Sequence, residues 1–73
     1  MAPPEKKIRL RVNGAEMELD PGTTLSQLLE TLGLDRRFLV VEHNGEPLSR
    51  ESFDATVLRE GDRLELVRPV AGG

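Results

Sequence analysis

Residues 7–20 read KIRLRVNGAEMELD and predict a β-hairpin with one register. Apolar and charged side chains alternate on both sides of Asn13-Gly14, the dipeptide best suited to the positive φ angles of a type I′ turn. A two-residue loop puts the apolar side chains of both strands on one face, which we expect to enter the core. The expected cross-strand pairs are Leu10 with Met17 and Ile8 with Leu19.

The opposite face of this hairpin carries charged side chains. They form three expected pairs of opposite sign: Arg11 with Glu16, Arg9 with Glu18, and Lys7 with Asp20. Opposite charges directly across two strands stabilise a register by roughly 0.2 to 1 kcal/mol per pair. We interpret this face as solvated.

After Pro21-Gly22 the chain changes from strand periodicity to helix periodicity. Leucines recur at i, i+3, i+4 and i+7, and we expect their common face to lie in the core. These leucines are Leu25, Leu28, Leu29 and Leu32. Thr24 with Gln27 three residues later is typical of a capping box, and Gly33 is typical of a left-handed helix end. The sequence therefore predicts one helix with both ends marked.

The second half of the chain predicts three further strands. Residues 38–43, FLVVEH, are rich in β-branched side chains, predict a central strand and lead into a second Asn-Gly turn at residues 44–45. Residues 46–48 can form only a short edge strand, since Pro47 has no N–H to donate. Residues 63–68 alternate again and predict the last strand.

The connection between these strands, residues 49–62, carries weaker signals. Residues 49–53 predict one capped turn of helix, and the segment is expected to bring three apolar side chains onto the core. These are Phe53, Val57 and Leu58. Glu60-Gly61-Asp62 predicts the turn before the last strand, whose Leu64 and Leu66 should face inward.

The order strand, strand, helix, strand, short strand, strand predicts an α+β fold: a mixed four- to five-stranded sheet with one main helix on one face. If the first and last strands lie side by side in parallel at the sheet centre, all the apolar faces converge on one core. Periodicity alone leaves this strand order open. We expect residues 7–68 to form the domain, between a disordered leader, residues 1–6, and a flexible tail, residues 69–73.

Composition argues against several kinds of functional site. With no cysteine and one histidine, His43, the chain has no thiolate nucleophile, no thiolate metal site and no histidine pair, so we expect neither catalytic nor metal-ligating residues and a structural role for His43. A net charge of −3 with interspersed signs argues against binding to nucleic acid or to an anionic membrane. No apolar run approaches the roughly 20 residues that span a bilayer, and no signal-peptide pattern opens the chain, so we expect a cytoplasmic protein.

The remaining candidate for chemistry is the tail, which reads PVAGG over residues 69–73. Five extended residues reach about 16 Å, far enough to enter the active site of another protein. Because glycine lacks a Cβ, a narrow channel can enclose Gly72 and Gly73 and a nucleotide can approach the terminal carboxylate. A carboxylate is a poor acyl donor and needs activation, for which we expect an acyl-adenylate formed from ATP in a partner enzyme. A terminal Gly-Gly arises by chance in roughly one chain in 200, so a frayed end or a cloning remnant is the alternative interpretation.

Two longer stretches carry a family resemblance. Residues 58–73, LREGDRLELVRPVAGG, combine a Gly-Asp turn, an alternating strand and the glycine end, and residues 40–50, VVEHNGEPLSR, combine a strand and a turn. Together with the leucine helix they resemble the ThiS and MoaD family of ubiquitin-like sulfur carriers, over most of residues 8–73. Val67-Arg68 and the short chain favour the ThiS branch. The resemblance implies the β-grasp strand order.

The resemblance also implies a function. A ThiF-like adenylyltransferase, related to ubiquitin-activating enzymes, would adenylate Gly73 with ATP and magnesium, and a persulfide sulfur would replace AMP to give a thiocarboxylate. Gly72, Ala71 and Val70 would enter the active site of that enzyme, and the chain itself would be carrier and co-substrate, not enzyme, with no cofactor of its own. In the ThiS branch a ThiG-like thiazole synthase accepts the sulfur for thiamine, whereas other family members serve molybdopterin, tRNA thiolation or cysteine synthesis.

Two alternatives of another class stay open. A ubiquitin-like interaction module would bind partners through its exposed sheet face, and deletion of Gly73 would leave its function intact. A protein modifier would share the adenylation step but would form isopeptide bonds with lysines.

Overall fold

A computed structural model describes residues 6–68, which form a mixed five-stranded sheet with an α-helix packed on one face. The strands are β1 (Ile8–Val12), β2 (Ala15–Leu19), β3 (Val40–His43), β4 (Glu46–Leu48) and β5 (Arg63–Val67), and the helix α1 spans Leu25–Leu32. The strand order is β2-β1-β5-β3-β4, with β1 and β5 parallel and the other neighbours antiparallel. The predicted α+β class and the β-grasp order are confirmed.

The first hairpin has the register that its charge pattern predicts. Leu10 pairs with Met17 and Ile8 with Leu19, while Arg11 lies opposite Glu16 and Arg9 opposite Glu18. Asn13 and Gly14 have φ angles of 52° and 83°, which a type I′ turn requires. Lys7 Nζ lies 2.5 Å from Asp20 Oδ1 just beyond the paired residues, so the third predicted charge pair also forms.

Helix α1 begins and ends at the predicted caps. Thr24 Oγ1 accepts from Gln27 N at 3.2 Å, Thr24 N donates to Gln27 Oε1 at 2.9 Å, and Gly33 has a φ angle of 72°. Leu25, Leu28 and Leu29 are buried, but the prediction that Leu32 lies in the core is wrong, since Leu32 is 39% exposed. Leu32 is the last residue of α1, about 10 Å along the helix axis from Leu25.

The predicted start of the third strand is also wrong. β3 begins at Val40, because Arg36–Phe38 forms a 3-10 turn that leaves Phe38 exposed and Leu39 outside the strand. Asp35 stabilises this turn: its side chain accepts from Arg37 N at 3.0 Å, and its carbonyl accepts from Phe38 N at 3.0 Å. The Arg37 side chain also binds the Asp35 carboxylate and lowers the pKa of that group to about 2.

The connection before β5 contains the expected turn of helix, as a 3-10 turn at Arg50–Ser52, although the Ser49 side chain makes no cap hydrogen bond to the backbone. Phe53 and Leu58 are buried as predicted, but Val57 is 43% exposed, so its assignment to the core is wrong. Residues 56–58 pair as an extended segment with residues 23–25. Because side chains alternate along extended backbone, Val57 points outward when Leu58 points inward.

The core lies between α1 and the inner face of the sheet. Its buried apolar residues are Leu10, Val12, Leu25, Leu28, Leu29, Leu39, Val41, Phe53, Leu58, Leu64 and Leu66. Of the predicted leader only Lys6 is among the described residues, and the predicted tail, residues 69–73, lies outside them.

Candidate functional site

The candidate carrier residue Gly73 and the predicted tail residues Gly72, Ala71 and Val70 lie outside the described residues. What the structure describes is the strand that leads to them. β5 ends at Val67, and the description continues to Arg68. Among the described residues, the candidate site therefore consists of the contacts that hold β5.

β5 occupies the middle of the sheet. It pairs in parallel with β1 on one side and antiparallel with β3 on the other. Its side chains alternate, with Leu64 and Leu66 buried under α1 and the other three exposed on the opposite face. A strand that is paired on both sides and anchored by two buried leucines gives a rigid base for the residues that follow.

The side chain of Asn13 extends the pairing of β1 with β5 by one residue. Its Oδ1 accepts from Leu66 N at 2.7 Å, and its Nδ2 donates to Leu66 O at 3.3 Å. The backbone N–H of Asn13 donates to Leu64 O at 2.8 Å. A primary amide presents one donor and one acceptor side by side, so it can replace a backbone peptide group in the ladder.

Asn44 holds the other end of β5 in a similar way. Its backbone N–H donates to Arg63 O at 2.8 Å, and its Oδ1 accepts from Arg63 N at 2.8 Å. The asparagines of both Asn-Gly turns thus bind the last strand. Sequence analysis assigned both asparagines only to turns. The signal that it missed is the residue type: glycine also tolerates the positive φ angle of these positions, but it has no side-chain amide.

Asp62 joins three segments immediately before β5. Its Oδ2 accepts from Arg59 N at 2.9 Å and from His43 Nε2 at 2.9 Å, and its Oδ1 accepts from Asn44 Nδ2 at 3.1 Å. Because a carboxylate only accepts, His43 Nε2 carries the proton of its bond. The predicted structural role of His43 agrees with this contact. Sequence reasoning placed Asp62 in a turn and missed that it is 7% exposed and forms a polar centre.

Burial and hydrogen bonding act in opposite directions on the pKa of Asp62. Burial is the largest single influence and raises the pKa, but the bonds from His43, Arg59 N and Asn44 together outweigh it, so the pKa lies below its ordinary value. Asp62 is therefore a charged group that stabilises the folded state at neutral pH.

Residues 6–68 contain no cluster of three or more potential metal ligands. No helix in that part of the chain has the length and apolar character needed to cross a membrane.

Comparison with known proteins decides the family. A sequence model of the ThiS family matches residues 10–73. The chain belongs to the ThiS family. The match begins within β1, covers β2 to β5 and continues through both terminal glycines, which confirms the predicted ThiS branch of the wider carrier family.

One relative, a thiazole synthase, is much longer than this chain. The thiazole synthase of Paramagnetospirillum magneticum (strain ATCC 700264 / AMB-1) is 35% identical over 66 residues, which are 90% of this chain and 20% of that protein. The chain thus spans about a fifth of that relative's length. The sulfur carrier protein ThiS of Bacillus subtilis (strain 168) is 31% identical over 65 residues, which are 88% of this chain and 98% of that protein.

A solved ThiS-family structure has the same fold. The crystal structure of the thiamine biosynthesis protein ThiS from Geobacter metallireducens superposes with a TM-score of 0.77 at 36% sequence identity. The superposition covers 90% of this chain and all of that one. The two chains therefore share the fold described above.

Proposed function

We propose that this ThiS-family chain is a sulfur carrier whose Gly73 carboxylate becomes a thiocarboxylate and supplies the sulfur of the thiazole moiety of thiamine. The observation that carries the proposal is that the ThiS family match spans residues 10–73 and so includes Gly73. A relative of nearly the same length, from Bacillus subtilis, bears the name sulfur carrier protein. The chain is carrier and co-substrate, not catalyst.

The proposed chemistry needs a partner enzyme. A ThiF-like adenylyltransferase with bound ATP and magnesium joins the Gly73 carboxylate to the α-phosphate and releases pyrophosphate. The terminal sulfur of a persulfide then attacks the acyl carbon, AMP leaves, and cleavage of the sulfur–sulfur bond by a thiol leaves the thiocarboxylate on Gly73. No step requires a side chain of the carrier. This agrees with the absence of cysteine from the chain.

The structure supports a carrier that supplies the terminal carboxylate while a partner enzyme supplies the catalytic residues. β5 is held in the sheet centre by β1, β3 and two asparagine side chains, so the tail is joined to a firm base. Val70, Ala71 and Gly72 then enter the partner's active site, where the small side chains of Ala71 and Gly72 leave room for a narrow channel.

We propose a ThiG-like thiazole synthase as the sulfur acceptor. The support is that a protein named thiazole synthase contains a 66-residue segment 35% identical to this chain. A carrier-like segment and the acceptor activity are therefore linked in that relative. A cytoplasmic location suits such a carrier, because ATP and thiamine precursors are intracellular.

Intact mass spectrometry of the protein from its native cell tests the thiocarboxylate directly. Replacement of one terminal oxygen by sulfur adds about 16 Da, and fragmentation should assign it to Gly73. The same mass change on a methionine would be oxidation, so the location of the modification decides the result. Absence of any terminal sulfur in cells actively making thiamine would contradict the proposal.

Glycine at position 72 provides a test of the narrow channel. We expect Gly72→Val to unfold at the wild-type temperature but to lower ATP–pyrophosphate exchange with the adenylyltransferase by about tenfold or more, because the added side chain obstructs the channel. Val70→Ala, which removes bulk from the same tail, is the matched control and should retain exchange. Normal exchange by Gly72→Val would refute the steric account, and full function after deletion of Gly73 would favour an interaction module instead.

A further inference from the structure

Both asparagines of the chain are followed by glycine, at Asn13-Gly14 and at Asn44-Gly45. In such a dipeptide the glycine nitrogen can attack the asparagine side chain and expel ammonia, because glycine has no Cβ to hinder the approach. The two dipeptides fill the turns between β1 and β2 and between β3 and β4, and all four residues are exposed. Water therefore reaches the groups that take part in this reaction.

The glycine nitrogens of both turns are not held by the fold. Among residues 6–68, the N–H groups of Gly14 and Gly45 donate to no backbone carbonyl. A Cβ built on either glycine meets no atom of a non-adjacent residue within 4 Å, so both turns have room for an altered backbone. The restraint on the reaction lies in the asparagine side chains, since ring closure turns the side-chain carbonyl carbon away from its hydrogen-bond partners.

The two side chains are held by different partners. Asn13 binds only backbone: its Oδ1 accepts from Leu66 N at 2.7 Å, and its Nδ2 donates to Leu66 O at 3.3 Å. Asn44 Nδ2 donates to the Asp62 carboxylate at 3.1 Å, and Asn44 Oδ1 accepts from Arg63 N at 2.8 Å. A hydrogen bond to an ionised group is roughly twice as strong as one between neutral groups. The Asn44 amide is therefore held more firmly than the Asn13 amide.

The partners also differ in how readily they move away. Leu66 is the last residue but one of β5, and hydrogen bonds at the end of a strand open at the smallest cost. Asp62 is 7% exposed and also accepts from His43 Nε2 at 2.9 Å. Release of the Asn44 side chain therefore disrupts a buried polar centre, whereas release of the Asn13 side chain requires only opening of the end of β5.

We propose that Asn13 deamidates spontaneously in the folded protein, whereas Asn44, in the same dipeptide, is protected by Asp62. The Gly14 nitrogen bonds to the side-chain carbonyl carbon of Asn13 and loses its proton, and ammonia leaves, which closes a succinimide ring. Water then opens the ring at one of its two carbonyls and leaves aspartate or isoaspartate at position 13. In total, one amide and one water become one carboxylate and one ammonium ion, without an oxidant or an enzyme.

Deamidation removes a hydrogen-bond donor from the end of β5. A carboxylate only accepts, so one of its oxygens faces the Leu66 carbonyl oxygen that Asn13 Nδ2 binds in the intact protein. Isoaspartate also adds one carbon to the backbone of a two-residue turn that sets the register of the hairpin. Both products loosen the strand that continues into residues 69–73, and they do so whatever the chemistry at Gly73.

Ageing of the purified full-length protein tests the site. One sample is kept folded at mildly alkaline pH, and a matched sample is kept in concentrated urea, where neither side chain is held. Each conversion adds about 1 Da, and peptide fragmentation assigns it to position 13 or 44 and separates aspartate from isoaspartate. We expect Asn13 to convert at least about tenfold faster than Asn44 in the folded protein, and the two rates to agree within about twofold in urea.

Two outcomes of the ageing experiment would overturn the proposal: equal rates at both asparagines in the folded protein, and conversion of Asn13 only in urea. Asp62→Asn provides a control, because it removes the charged partner of Asn44. In this variant the ratio of the Asn13 rate to the Asn44 rate should fall by about threefold or more, since a general loss of stability would raise both rates alike. An unchanged ratio would contradict protection by Asp62.

The Asn13→Asp variant tests the effect on β5, because it reproduces one product with a normal backbone. We expect it to unfold about 4 °C or more below wild type at neutral pH and to recover part of this loss below about pH 4, where a protonated carboxyl can donate to Leu66 O. Asn13→Gly keeps the positive φ angle and removes the amide without adding a charge, so its loss should be equal at both pH values. Wild-type stability of Asn13→Asp at neutral pH would overturn the loosening of β5.

Discussion

Asp62 and Asn13 show at the scale of single residues how polar side chains hold the strand that leads to the tail. Asp62 binds a backbone N–H, a histidine and an asparagine just before β5, and Asn13 binds both backbone groups of Leu66 near its end. Each such bond to a neutral or charged group contributes about 0.5 to 3 kcal/mol. These two side chains thus hold β5 at both ends.

The low pKa of Asp62 predicts a pH dependence of stability. Because its folded pKa lies below the ordinary value of 3.8, the unfolded chain binds more protons in the interval between the two pKa values, and the free energy of unfolding rises with pH there. Its contribution is complete above about pH 4 and is lost as the pH falls through the folded pKa. We expect Asp62→Asn to be about 1 to 3 kcal/mol less stable than wild type at pH 7, with a smaller difference below pH 4.

Urea unfolding at a series of pH values measures this difference. Glu51→Gln is the control, because Glu51 is an exposed carboxylate in the 3-10 turn that precedes Phe53. It should follow the wild-type curve. A constant gap between Asp62→Asn and wild type from pH 7 to pH 3 would contradict a charged, hydrogen-bonded Asp62.

Helix α1 shows that the signals for the ends of a helix are local in sequence, whereas the burial of its side chains depends on the rest of the fold. Its caps at Thr24 and Gly33 depend on hydrogen bonds within three or four residues, and both were predicted correctly. The extent of its buried face depends on its contacts with the rest of the fold. A local sequence pattern does not contain this information. Leu32 belongs to the leucine periodicity and yet lies past the core.

Two leucines of α1 provide a matched pair of variants. Leu28 is fully buried and Leu32 is 39% exposed, although both belong to the same leucine repeat. We expect Leu28→Ala to lower the free energy of unfolding by roughly 2 to 5 kcal/mol, because it leaves a cavity in a small core. Leu32→Ala should cost about 1 kcal/mol or less.

Chemical denaturation of both variants measures the two costs under the same conditions. Alanine is the better helix former, so helix propensity cannot explain a loss in either variant. Equal costs would mean that the leucine repeat, and not contact with the sheet, determines burial in α1.

For the whole molecule, the core and the proposed chemistry occupy separate parts of the chain. Among residues 6–68 the buried core runs from Leu10 to Leu66, whereas the proposed carrier group is at Gly73. Such a separation lets the domain keep one stable structure while its end reacts in another protein. It also means that stability and function can be removed independently.

Truncation tests this separation. A chain of residues 1–68 should unfold within about 4 °C of the full chain, because it keeps every core residue that the structure describes, but it should support no adenylation. A chain of residues 1–62 lacks β5 with Leu64 and Leu66, and it should not fold. Thermal unfolding by circular dichroism measures both. Loss of folding in the 1–68 chain would show that the last five residues contribute to the domain.

The sequence by itself determined the elements whose causes are local: the two Asn-Gly turns, the register of the first hairpin, both ends of α1 and the inward leucines of β5. The strand order came from the family resemblance, and the start of β3 was misplaced because the Asp35 turn competes with the strand. Only the tertiary structure decided what surrounds β5: the Asn13 and Asn44 amides and the buried Asp62. Apart from the bond from Arg59 N to Asp62, these contacts join residues 18 to 53 positions apart, and periodicity carries no information over such separations.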